Sequence, residues 1–258
     1  MRRFVVVRIV SLLPTLLGVS LAVFLMVRLI PGTVVDQIIG TEGTYSAETV
    51  RALRAFFGLD APLHVQYGRW LWSALHGDLG TSWRRGLPVL QMILSRLQVT
   101  AELTIGAMIV AMLVGVPLGI LSARRENTAL DHVVRVTSLF SLSIPVFWQA
   151  TMLILPGSLW LNWAPPVDFV SPLTHPARNF GIMALPSLVL GTAAAAVFMR
   201  MTRSSLLEVM GQDFVRTARA KGLSERSVVW GHAFKNSLIP LITIAGIQVG
   251  YLLGGAVV

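Results

Sequence analysis

The chain has 258 residues, 54% hydrophobic and 13% charged, with no cysteine, a net charge of +9 and a mean hydropathy of +0.71. A soluble domain covers itself with roughly 25% charged residues, so half that share excludes an ordinary water-soluble fold and puts lipid around much of the surface. The absence of cysteine excludes disulfides, thiol chemistry and cysteine metal sites.

Five stretches contain no Asp, Glu, Lys or Arg: Ile9 to Val27, Leu103 to Ala123, Val136 to Val167, Asn179 to Met199 and Asn236 to Val258. About 20 apolar residues suffice for a helix to cross a hydrocarbon core about 30 Å thick, so each run predicts a span. The third is longer than needed, and its spanning part is read as Val136 to Leu161, followed by a proline-containing loop over Asn162 to Asp168. Arg2 and Arg3 resemble a signal-peptide start, but the apolar run after them is too long and no small-residue cleavage site follows.

The basic residues set the orientation, because short cytoplasmic segments retain Lys and Arg. With the N-terminus inside, thirteen basic residues face five acidic ones on the cytoplasmic side, and eight face seven outside. Nearly all of the positive excess is therefore topological, and nucleic-acid binding has no place in the account. The elements then follow in order: span one outward, an external segment over 31–99, span two inward, a short inner loop from Arg124 to Arg135, and span three outward. An external loop, span four inward, a long inner segment over 203–235 and span five outward complete the chain. The sequence stops inside an apolar run after Gly254 and Gly255, so the expectation is a single transmembrane domain over 1–258 with five spans, truncated at its C-terminus and lacking at least one returning span.

Within the spans no ionisable side chain occurs, which weakens proton coupling through intramembrane carboxylates. Intramembrane proteolysis is disfavoured too, since there is no aspartate pair, H-E-x-x-H or G-x-S-x-G. The five histidines have no ligand-like spacing, so no metal and no catalytic residue is expected. No G-x-x-x-x-G-K-[ST] loop is present, so the chain is not expected to bind ATP itself.

The largest inner feature begins at Ser204. Asp213 is suited to cap a helix over Phe214 to Lys221, Gly222 to end it in the left-handed conformation, and Ser224 to cap the next helix. Phe214 and Ala218 lie at i and i+4 with Val215 adjacent, while Arg216, Arg219 and Lys221 point elsewhere. The pattern allows either a docking helix for a cytosolic partner or a loop resting on lipid headgroups. Outside, Phe56, Phe57, Tyr67, Trp70, Trp72 and Trp83 fit amphipathic interfacial helices, as membrane anchors or as a lid at an outer mouth. Ser138, Ser141, Ser143, Gln149, Thr192, Thr243 and Gln248 are polar span residues, available for helix packing or for lining a substrate path. Pro145, Pro186 and Pro240 are expected to kink or start helices.

The stretch MTRSSLLEVMGQDFVRTARAKGLSERSVVWGHAFKNSLIP resembles the EAA loop of ABC importer permeases, with Arg216, Thr217 and Ala218 where other families have Glu-Ala-Ala and Gly222 at the motif glycine. FGLDAPLHVQYGRWL, HGDLGTSWRRGLPV, SRLQVTAEL, GVPLGILSARRENTALDHVVR and SLSIPVFW extend the resemblance along nearly the whole chain, to the B-type subunit of the dipeptide/oligopeptide/nickel permease family. One departure is Thr33-Val34 after Pro31-Gly32, where the family usually has Asp-Pro.

The resemblance implies an all-α, type I ABC importer transmembrane fold of six spans, five of them present here, in a bacterial cytoplasmic membrane. The implied partners are a second homologous permease, two ABC ATPase subunits that hold ATP and Mg, an external substrate-binding protein and the lipid bilayer. It also implies that Asp213, Phe214, Val215, Arg216, Thr217, Ala218, Arg219, Ala220, Lys221 and Gly222 form the ATPase-coupling helix, and that peptides are the cargo. The alternative reading is a secondary carrier or channel working without an ATPase.

Overall fold

The computed structural model describes residues 2–29, 35, 47–82, 85–166 and 168–255. Among these no strand forms, and an isolated antiparallel bridge joins Thr81 to Pro88. The chain divides into two units, residues 1–93 and 94–258.

In the first unit, α1 (Arg2–Leu29) carries the first apolar run. Ser11, Thr15 and Ser20 donate their hydroxyls to carbonyls three or four residues back, at 2.8, 3.1 and 2.9 Å, which satisfies these groups within their own helix where no water is available. Two short helices, α2 (Ala47–Phe56) and α3 (Leu63–Leu75), realise the amphipathic pattern. Tyr67 holds α3 to α1: its hydroxyl lies 2.9 Å from that of Ser20 and its ring meets Phe24 edge-on at 5.4 Å. Trp70 and Trp72 stay exposed. Trp83 and the Pro31–Val34 departure lie outside the described residues.

The second unit holds most of α4 (Val89–Arg124), then α5 (Ala129–Ser143), α6 (Val146–Leu161), α7 (Pro176–Met210), α8 (Asp213–Ala220), α9 (Glu225–Ser227), a π-helical turn at Val228–Ala233, and α10 (Phe234–Gly255). By length and apolarity α1, α4, α7 and the stretch Glu225–Gly255 can each cross a membrane, and the bent pair α5 and α6 makes a fifth if it is one broken span and not a re-entrant loop. Within the stretch read as Val136 to Leu161, α5 and α6 are bent by 99° at the proline expected to kink or start a helix. The cause is Pro145. It caps α6 and pushes Ile144 into an extended conformation (φ −90°, ψ 126°), as expected before a proline, whose ring clashes with a helical predecessor.

The core is a seam between α4 and α7. A Cβ on Gly115 would stand 2.6 Å from the carbonyl oxygen of Ala195, one on Gly119 would stand 2.6 Å from the Thr202 Cβ, and one on Gly191 would stand 2.5 Å from the Val110 Cβ. These pairs rise together in number, so the two helices run parallel, as two spans that cross in the same direction should. Small residues allow backbones to approach without a hydrophobic drive, and Gly115-x-x-x-Gly119 is that signature. Ala107, Ala111, Ala194, Ala195 and Phe198 fill the seam.

Each end of the seam is tied by a carboxylate. At one, Asn179 donates its amide to Glu102 and to the carbonyl of Val170, both at 2.8 Å. At the arginine-rich end, Asp131 and Arg203 pair. At 36 and 35 residues, α4 and α7 are about 54 and about 52 Å long, each longer than a bilayer core is thick.

Candidate functional site

At the end of α7 the N–H of Gly211 bonds to the carbonyls of Leu207 and Glu208 at 3.2 and 3.3 Å, and Gln212 turns extended (φ −80°, ψ 154°) to open α8. Gln212 is therefore the cap position and makes no side-chain capping bond; Asp213 is the first helical residue. This corrects the expected boundaries by one residue at each end. Asp213 still serves α8, because a carboxylate in the first turn is favoured by the helix dipole. The α8 helix ends in Lys221 and Gly222, whose φ is +78°. A Cβ there would meet nothing within 4 Å, so the backbone conformation, not crowding, calls for glycine. Ser224 accepts a hydrogen bond from the Ser227 N–H at 3.4 Å, as its sequence position suggests. Arg219 grips Glu225 through two donors at 2.7 and 3.3 Å, closing α8 onto α9.

The faces of α8 differ from the sequence reading. Val215 and Ala218 are the buried pair, in a cluster with Ile120, Leu206, Val228 and Val229, whereas Phe214 is 40% exposed. Periodicity fits both arrangements, because Ala218 lies three residues from Val215 and four from Phe214. The seat on α4, α7 and the π turn selects the first. Full burial of Val215 is worth about 2 kcal/mol, so α8 is fastened to its own chain by one face. It presents Asp213, Phe214, Arg216, Thr217, Arg219, Ala220 and Lys221 on the other.

The ion pair near this seat has no counterpart in the sequence reading, where Asp131 and Arg203 count only as topological charges. Asp131 is fully buried. Its Oδ1 accepts from Arg203 Nε at 2.7 Å and from the Ser122 hydroxyl, and its Oδ2 accepts from Arg203 Nη2 at 2.9 Å and from the Asn127 N–H at 3.0 Å. Arg203 Nη2 also reaches Glu126 at 4.0 Å. The signal that could have found it is Thr128-x-x-Asp131, a capping-box spacing before an apolar run. Thr128 does cap α5, accepting from the Asp131 N–H at 3.5 Å.

Of the seven polar span residues, three meet at the α5–α6 break. Gln149 donates to the carbonyls of Ser141 and Ile144 at 3.1 and 3.2 Å, Thr192 donates to Gln149 Oε1 at 3.4 Å, and Ser141 donates to the Thr192 carbonyl at 3.3 Å. Ser138 is buried and bonds to the Arg135 carbonyl at 2.8 Å. Ser143 and Thr243 are exposed and bond within their own helices, and Gln248 is half-buried on α10.

Two family models match the chain. Residues 115–258 match the binding-protein-dependent transport system inner membrane component, and residues 1–104 match the N-terminal membrane component of the same kind of system. The dipeptide transport system permease protein DppB of Escherichia coli strain K12 is 39% identical over 280 residues, covering 100% of this chain and 82% of DppB. The glutathione transport system permease protein GsiC of Salmonella paratyphi A is 41% identical over 258 residues, covering 100% of this chain and 81% of GsiC.

Proposed function

Because this chain belongs to the family of binding-protein-dependent transport system inner membrane components, and is thus a multi-pass permease subunit and not an enzyme, we propose that it forms half of the translocation path of an ATP-driven importer of dipeptides or oligopeptides. The observation that carries this reading is α8, which is locked to its own chain through Val215 and Ala218 while Phe214 and the basic residues face outward. A helix held this way passes a push from a cytosolic partner into α4, α7 and, through the π turn, α10.

In this reading Asp213 to Gly222 seat in an ATPase subunit, two such subunits hold ATP and Mg, and this chain holds no cofactor. The N-terminus lies in the cytoplasm, a second homologous permease completes the path, and an external substrate-binding protein delivers cargo. The similarity to DppB supports the peptide class. Ser138, Ser141, Ser143, Gln149, Thr192, Thr243 and Gln248 are the proposed path residues; the Ser141–Gln149–Thr192 knot at the bent span lets a change in bend alter the path.

The test is to purify the chain from native membranes in mild detergent and identify the proteins that accompany it. Two ATPases and a second permease, with peptide uptake that requires ATP, are expected. Recovery of this chain alone, active in vesicles without ATP, would replace the importer with a secondary carrier. In the assembled complex Gly222→Val forces a β-branched residue to positive φ, at a cost of about 2 kcal/mol. It should uncouple ATP hydrolysis from uptake while leaving membrane insertion intact.

A further inference from the structure

We infer that the Asp131–Arg203 pair is a positioning element for transport, the tie that makes the inner turn after α4, the start of α5 and the end of α7 move as one body with α8. The inference rests on the coupling reading of α8 and extends it to α5, which α8 does not reach through its own buried cluster.

The geometry points to this role. Asp131 stands on the first turn of α5 and gathers four donors: the Ser122 hydroxyl at the end of α4, the Asn127 N–H in the turn, and two nitrogens of Arg203 on α7. One carboxylate thus joins three helices. Two donors of a planar guanidinium on two oxygens fix orientation as well as distance, which a lysine ammonium does not. Toward the end of α7 the inner turn and that helix separate across an open cavity of about 930 Å³, whose lining includes Arg125, Glu126, Leu207 and Met210. The pair therefore bridges α5 to α7 at the margin of this gap. The next residues of α7 lead into α8: Ser205, Leu206 and Val209 are buried, and Leu206 and Val209 pack in the cluster that seats Val215. A displacement of α8 reaches α7 through that cluster and α5 through the pair.

The test uses the full chain in its assembled complex, with Asp131→Asn and, separately, Arg203→Lys. Both leave a folded route open: in the first, Arg203 keeps Glu126 and 20% side-chain exposure, and in the second, the lysine keeps the charge without the fork. The ATPase rate, peptide uptake and the recovery of partner subunits are measured together. The expected result is normal recovery of the ATPases, hydrolysis within about twofold of the parent, and uptake per ATP lowered about tenfold, in the range that loss of a coupling contact produces. Uptake per ATP that stays at the parent value in an assembled complex would overturn the inference. So would a parallel fall of recovery, hydrolysis and uptake in both variants, which marks a pair that serves folding alone. A parent chain that transports without any ATPase would instead sink the coupling reading of α8, a result separable from either of these.

Discussion

The two ends of the α4–α7 seam are closed by different chemistry. At one end Glu102 accepts a neutral amide from Asn179, which is shared with the Val170 carbonyl, and Glu102 itself remains half-buried. At the arginine-rich end Asp131 has no exposure and takes a two-pronged guanidinium, a hydroxyl and a backbone N–H. Removing a charge from water is costly, and only a full set of partners offsets it. The same parallel helices are thus pinned by few partners at the Glu102 end and by a full set where α8 is attached.

The largest effect should come from breaking what both ends share. Gly115→Leu drives a side chain into Ala195 and Phe198; the overpacking should cost about 3 kcal/mol, visible as lower thermal stability in detergent. A smaller loss is expected for Asp131→Asn, about 2 kcal/mol by the same measurement, below the full penalty of an orphaned buried charge because Arg203 retains Glu126. Glu102→Gln keeps an acceptor for Asn179 and should cost under about 1 kcal/mol. An equal loss at Glu102 and Asp131 would erase the contrast between the two ends. Least of all for stability, Phe214→Ala on the exposed face should stay within about 0.5 kcal/mol while reducing the ATPase recovered with the chain; unchanged recovery would show that Phe214 is not part of the seat.

The spans are legible in the sequence because apolar length is a local property. The α5–α6 bend is partly legible: Pro145 marks a helix start or kink, but a charge-free run conceals a turn that leaves hydropathy unchanged. The parallel seam is written in Gly115 and Gly119, which carry no polar or charged group and so stand out from neither hydropathy nor charge. Asp131 and Arg203 stand 72 residues apart, and nothing local distinguishes a buried ion pair from two headgroup charges of opposite sign. The family-like segment around α8 is legible as a motif, but the face Phe214 occupies is decided by tertiary packing.

The π-helical turn at Val228–Ala233 sets the phase of everything after it. Its ring closes over one residue more than an α turn, and each helical residue advances the chain by about 100° around the axis. Rewinding the turn as ordinary α-helix with all its residues kept would rotate α10 by about that angle, exchanging the stripe that buries Ser237, Leu241 and Leu252 for its neighbour, whereas deleting one residue as the turn rewinds would leave that stripe in place. The facing of α10 is thus a matter of counting, held by a wide turn that takes up one surplus residue.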